Sequence, residues 1–398
     1  MNTTTTERRI DLDWLRVIAF GILIFFHAGM MFNTWGWHVK NNITTHTPEF
    51  FMNFLHQWRM PLLFFISGSA AWFLLQKMNI RRFAGNRMLR LFLPLAFGMF
   101  VIIPPQVYYE RLFQGHVYAS FVDFYRTVLQ FESYPKGNFS WHHLWYIPYI
   151  FVYSFLILPV FGVMRTAHGK ARITAFIDWS SRGTRIGLWF IPLAITQLAL
   201  RPFWMHDANN LVSDWANFAW CFTFFGSGFL LASHHAIWDA IAAQRTRFLT
   251  AAILALATIE VVWEVQKDFG TAGFIVYFIL KSYHAWLWIV TILGYARAYL
   301  TRKNRFLSWA NEAVYPFYIL HQTITVVLAY YLSGWQIDIF AKYLLVAGGT
   351  IAGCYILYEG VIRRVAPLRF VFGMKARKRQ PQRMSTPGVD IAAIESAQ

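Results

Sequence analysis

Residues 12–29 read LDWLRVIAFGILIFFHAG, an apolar run that carries an arginine near its start and a histidine eleven residues further on. A stretch of about 20 largely apolar residues crosses roughly 30 Å of hydrocarbon as a helix. The run is preceded by Glu7, Arg8 and Arg9 and is followed by no small-residue cleavage site, so it reads as a retained first span and not as a signal peptide. Working outward, the chain has 398 residues, 57% hydrophobic and 14% charged, and further runs of this kind recur to residue 360. That is the composition of a polytopic membrane protein.

The length rule predicts ten helices, near 14–35, 50–75, 91–109, 144–164, 186–201, 215–233, 248–264, 272–297, 313–332 and 338–360. The expected fold class is therefore all-α, a bundle of about ten transmembrane helices in one membrane domain over residues 1–370. Residues 371–398 read as a basic, then polar tail that is partly disordered. A net charge of +17 does not point to nucleic acid, because the cations collect in short segments between apolar runs, such as KMNIRRFAGNRMLR, TRKNR and KARKRQPQR. Those segments should be cytoplasmic, with both termini on that side. The opposite loops, TWGWHVKNNITTH, 110–144 and RPFWMHDANNLVSDW, are rich in Trp, Tyr and His. Such a surface suits sugar stacking and equally an interfacial aromatic belt.

At 100° and about 1.5 Å per residue, Arg16 and His27 share nearly one face and lie about 16 Å apart, with Asp13 one turn before the arginine. That places Arg16 at the cytoplasmic rim, paired with Asp13, and the imidazole near mid-bilayer, where an ionisable side chain is a functional hypothesis unless it satisfies a neighbouring carbonyl. His56 and Arg59 in FLHQWRMPLLFFISGS share a face of the second span, and the Ser67-Gly68-Ser69 stretch beyond them reads first as close packing. Arg81, Arg82, Arg87 and Arg90 cluster before the third span, where they could hold phosphates or serve as a positive-inside anchor. His142 and His143 open the fourth span, and His321 and Glu359 fall in the ninth and tenth. Lys281 lies with His284 in the eighth, with Glu260 and Glu264 of the seventh as its expected partners. No spacing resembles a metal site, Cys221 and Cys354 read as two buried thiols, and no metal is expected.

Taken in order, LDWLR with His27, TWGWHVK, FLHQWRMPLLFFISG, NRMLRLFLP, HHLWYIP, YPFYILH and LYEGVIRRVAPLRFVFG resemble the integral-membrane acyltransferase-3 family. The likeness is strongest to its OpgC/MdoC-type branch, which succinylates osmoregulated periplasmic glucans. It implies a multi-pass protein of the bacterial inner membrane that moves an acyl group from cytoplasmic acyl-CoA, succinyl-CoA or acetyl-CoA, to a hydroxyl of an extracytoplasmic glycan, with no permanently bound cofactor. The family's arginine-to-histidine pattern falls on Arg16 and His27, its R-x-x-R on Arg87 and Arg90, and its tryptophan-histidine pair on Trp37 and His38. His56, Arg59, His143, Trp145, His321 and Glu359 also match.

These positions suggest roles. His27 would act as general base or acyl-accepting nucleophile, Asp13 and Arg16 would shape the way in, and Arg81, Arg82, Arg87 and Arg90 would hold the acyl-CoA phosphates. Trp37, His38, His56, Arg59, His143, Trp145, Lys281, His321 and Glu359 would bind acceptor or acyl group. Lys281, His284 and the 110–144 loop match no family motif. O-acetylation of lipopolysaccharide, capsule or another surface glycan is the main alternative. An exporter of acylated glycan precursors would carry inverted repeats, and none is visible.

Overall fold

The computed structural model describes residues 9–265 and 270–375, apart from the side chains of 263 and 264, so the tail from residue 376 lies outside the described residues. Each apolar run becomes a helix because hydrocarbon offers backbone groups no other partner. In chain order these are α1 (Ile10–Met30), α2 (Glu49–Leu75), α3 (Ile80–Phe113) and α4 (His142–Arg165). Two bent pairs follow, α5 (Ala167–Ser180) with α6 (Arg185–Leu200) at 118°, and α7 (Trp215–Leu231) with α8 (Ala236–Ala243) at 110°. The rest are α9 (Arg245–Val265), α10 (Gly270–Tyr299), α11 (Arg305–Leu332), α12 (Ile339–Ile362) and α13 (Ala366–Val371).

Seven of them, α1 to α4 and α10 to α12, are long and apolar enough to cross a membrane, or nine crossings if each bent pair is one. α9, a helix of 21 residues, lies over the seventh expected span. Among the described residues the β-structure is a single bridge between Ser133 and Phe139. Both described chain ends lie at one end of the bundle, since Arg9 and Lys375 line the same small cavity.

α1 departs from its expected bounds. Asp11 and Asp13 sit in its first turn, where negative charge meets free N–H groups, and the helix starts at Ile10. It stops at Met30 because the chain folds back: Lys40 Nζ binds the Met30 carbonyl at 2.6 Å and also the Asn33 carbonyl, placing a cation on the helix's C-terminal oxygens. His27 therefore lies in the last turn of α1, not at its middle. The expected 91–109 span also lengthens, to Ile80–Phe113, with Asn79 capping its start through Arg82 N at 2.9 Å and wide π-helical turns at Met88–Phe92 and Gly98–Ile102.

Backbone contact joins α2 and α7. A Cβ at Gly68 would lie 1.8 Å from the Phe225 carbonyl oxygen, and one at Gly228 would lie 1.9 Å from that of Phe65. Ser69 Oγ adds a hydrogen bond to the Gly228 carbonyl at 3.0 Å. The Ser-Gly-Ser stretch thus packs, as small residues do between membrane helices, and it sets the line from which Arg59 and His56 project. Cys221 and Cys354 are buried free thiols.

Gly68→Ala should lower the melting temperature in detergent, by a destabilisation on the order of 1–3 kcal/mol. Gly226→Ala, where a Cβ meets nothing within 4 Å, should leave it unchanged. Equal melting temperatures for the two variants would contradict the contact.

Candidate active site

A cavity of about 1130 Å³ opens in the half of the bundle away from the chain ends, and His27, Trp37, His38, His56, Arg59, His143, Trp145 and Lys281 all line it. Residues around Trp35, Trp141 and Asn209 line it as well, and the two indoles supply broad apolar faces.

His27 makes no side-chain hydrogen bond among the described residues, and its Nδ1 is buried without a partner. Its ring centroid lies 5.3 Å from that of His321 on α11. His321 Nδ1 donates to the Tyr318 carbonyl at 2.7 Å, which fixes the tautomer and leaves a lone pair on Nε2, also unpartnered. His143 follows at 5.1 Å from His321, nearly perpendicular to it at 84°. Its Nδ1 faces Gln106 Oε1 and its Nε2 the Ile319 carbonyl, each at 3.1 Å, while Tyr318 donates to the His143 carbonyl at 2.6 Å. Three imidazoles from α1, α11 and α4 thus form a row beside the cavity.

Gln106 continues that row to His38, whose Nε2 lies 3.3 Å from Gln106 Nε2 and 2.9 Å from Gln322 Nε2. His38 Nδ1 then meets Glu110 Oε1 at 3.0 Å, and His142 Nε2 meets Glu110 Oε2 at 3.2 Å. Tyr134 also donates to Glu110, at 2.9 Å. Sequence spacing gave no reason to expect a metal-ligand set, yet the ligand atoms of His38, Glu110 and His142 all lie within 4.8 Å of one another.

Arg59 is 4% exposed and packs its guanidinium 3.7 Å above the Phe26 ring, next to His27, with no hydrogen bond or ion pair among the described residues. A buried charge of this kind is costly unless an anion meets it. His56 stacks on the same Phe26 at 6.2 Å. Across the cavity, Arg201 binds Asp207 at 2.7 Å. Burial alone would raise the Asp207 carboxyl, but the Lys281 and Arg201 charges overcome it and hold that carboxyl below the usual range. The charges that act on Lys281 include Asp207, from the loop before α7, and Arg201; the Glu264 side chain lies outside the described residues. His284 is fully buried, 6.3 Å from the Trp288 ring centroid.

The other expected residues stand apart. Asp13 and Arg16 are 3.6 Å apart, and Arg16 also binds Asn311 Oδ1. With Arg9, Lys77 and Lys375 they line a second cavity of about 410 Å³ at the chain-end side. Arg81 and Arg82 are exposed, Arg87 lies 4.7 Å over Phe83, and Arg90 donates to the Gly373 carbonyl at 2.5 Å; these four line neither cavity. Glu359 is held by Trp309 at 2.6 Å and Arg363 at 2.9 Å, away from the large cavity. Sequence reading missed Gln106, Glu110, Arg201, Asp207 and Gln322. The available signal was Gln106 and Glu110 one turn apart in PPQVYYERLF, at the end of an apolar run.

Comparison with known proteins returns a family described as acyltransferase domain, matched over residues 9–359. A protein named glucans biosynthesis protein C from Salmonella schwarzengrund (strain CVM19633) is 22% identical over 395 residues, covering 96% of this chain and 99% of that protein. Its namesake from Salmonella paratyphi B (strain ATCC BAA-1250 / SPB7) is 22% identical over 399 residues with the same coverage. No solved structure matches.

A carboxyl held low in the folded state stabilises above its unfolded pKa and loses that contribution as pH falls through the folded value. Melting temperature should therefore drop below about pH 4, and Asp207→Asn should shrink that acid step while lowering stability at pH 7. An acid limb of unchanged size in the variant would contradict the Asp207 assignment.

Proposed function

The chain belongs to the acyltransferase-domain family, and from that membership we propose that it moves an acyl group, succinyl or acetyl, from cytoplasmic acyl-CoA to a hydroxyl of a glycan on the far side of the inner membrane. The relatives' name supports a glucan as acceptor. The observation that carries the reading is His27, without a hydrogen-bond partner, beside His321 and the uncompensated Arg59 on the wall of one large cavity.

In this reading the bundle crosses ten times, with α9 as the seventh crossing and the cationic chain ends in the cytoplasm. The donor's phosphates meet Arg16, Lys77 and Lys375 around the small cavity, with Arg81, Arg82, Arg87 and Arg90 close by in sequence as further cations. Arg16 to His27 is about 16 Å along α1, and the thioester arm must cover it. His27 takes the proton of the acceptor hydroxyl, the oxygen attacks the thioester carbonyl, and the thiolate leaves and collects that proton; an acyl-histidine intermediate would use the same geometry. Negative charge on the carbonyl oxygen needs a donor. The N–H groups inside the spanning helices are spent on one another, and the Arg59 guanidinium on the cavity wall is placed to supply one. Trp37, His38, His56, His143, Trp145 and Lys281 form the wall against which the sugar lies, and the His321 ring packs beside His27.

In purified protein, His27→Ala should cut acyl transfer by about 10²-fold or more at unchanged folding, and Lys77→Ala, which removes a cation lining the small cavity, should raise KM for acyl-CoA and not for glycan. Full activity in the first variant would reject the catalytic histidine. A KM rise confined to glycan in the second would reject the phosphate role.

A further inference from the structure

The hydrogen bonds around Gln106 and His38 do not close as drawn. Both nitrogens of His143 face oxygens, so that ring would need two protons and a charge. Thr323 Oγ1 has one proton, yet it faces two acceptors, the Ile102 carbonyl at 2.9 Å and Gln106 Oε1 at 3.4 Å. A half turn of the Gln106 amide, which exchanges oxygen and nitrogen in place, removes both conflicts: His143 becomes neutral, and Thr323 donates once and accepts once. Gln106 then presents its oxygen to His38 Nε2. Gln322 must turn with it, since an N–H facing an N–H at 2.9 Å repels, and its Oε1, buried without a partner, gains one.

The consequence falls on the other side of the ring. With its proton on Nε2, His38 aims the bare lone pair of Nδ1 at Glu110 Oε1, 3.0 Å away. Lone pair and carboxylate repel unless a cation joins them, either a second proton on the ring or a metal ion. His142 adds a second imidazole nitrogen, 3.2 Å from the other oxygen of the same carboxylate, with its ring stacked on His38 at 5.1 Å. The His142 backbone is held at φ 39°, a left-handed conformation that a non-glycine residue adopts at a cost.

We propose that His38 Nδ1, His142 Nε2 and the Glu110 carboxylate bind one divalent transition-metal ion of the zinc type on the wall of the large cavity. Two histidines and one glutamate are a known zinc ligand set that leaves a fourth position open. Ligands about 2.0–2.2 Å from zinc stand about 3.3–3.6 Å from one another in a tetrahedron, so the 3.0 and 3.2 Å contacts must open by a few tenths of an ångström to admit the ion. With both amides turned, their oxygens fix the His38 tautomer, and Tyr134 holds Glu110. The open position faces the cavity that His38 and His142 line, where an acceptor hydroxyl or water can occupy it.

The test uses full-length protein in detergent, equilibrated with zinc, desalted and analysed by mass spectrometry for metal per chain. About one zinc per chain is expected, falling at least tenfold in Glu110→Gln and in His142→Ala, and unchanged in His116→Ala, an exposed histidine elsewhere. Size-exclusion profiles separate metal loss from misfolding. Should both variants misfold, zinc X-ray absorption of the unaltered protein decides: a four-ligand nitrogen and oxygen shell with imidazole scattering supports the site, and a six-oxygen shell overturns it. Zinc far below stoichiometry in the unaltered protein, or retained in folded Glu110→Gln, would also overturn it. None of these readouts depends on acyl transfer, so the site and the proposed activity can fail separately.

Discussion

Hydrocarbon leaves backbone groups no partner but one another, and the rest of this protein follows from that. Every crossing segment must be a helix, and each helix consumes its own N–H and C=O groups. Chemistry inside such a bundle is left to side chains, and these are tolerated only where they meet one another or a wet cavity. The large cavity is where His27, Arg59 and Lys281 find such a place.

Close packing decides which side chains converge there. α2 and α7 approach to backbone contact at Gly68 and Gly228, which fixes α2 along its length and so aims His56 and Arg59. α11 brings His321 to His27, and its Tyr318 clamps the start of α4 through the His143 carbonyl. The lysine that ends α1 also shapes the site. By drawing the chain back at Met30, Lys40 sets His27 in the final turn and lets the Trp35–His38 segment fold over the cavity. In the proposed reaction, a thioester entering at the chain-end side would travel most of the length of α1, while a glycan would pass only the loops.

The helices were legible in the sequence because apolar length is a one-dimensional property. So were His27, His143 and His321, which stand out as ionisable groups in apolar runs. What could not be read was pairing. Glu110 looked like the first residue of a loop, yet it ends α3 and holds two histidines separated from each other by about a hundred residues of chain. Lys281 pointed to the neighbouring seventh span, and nothing in the sequence pointed to the loop residue Asp207, whose charge also acts on it. The cluster of His38, Glu110 and His142 has no spacing signature for the same reason, since metal spacing rules describe ligands on one or two local elements. The end of α1 was missed because Met31 and Phe32 continue its apolar pattern, while the capping Lys40 lies beyond any local window.

The central claim is that donor and acceptor meet at one imidazole from opposite sides of a bilayer. It is tested most directly in sealed proteoliposomes holding glucan inside, with radiolabelled acyl-CoA added only outside. The account predicts label on the enclosed glucan while the vesicles remain impermeable to acyl-CoA. Label appearing only when glucan and acyl-CoA share a compartment would contradict it.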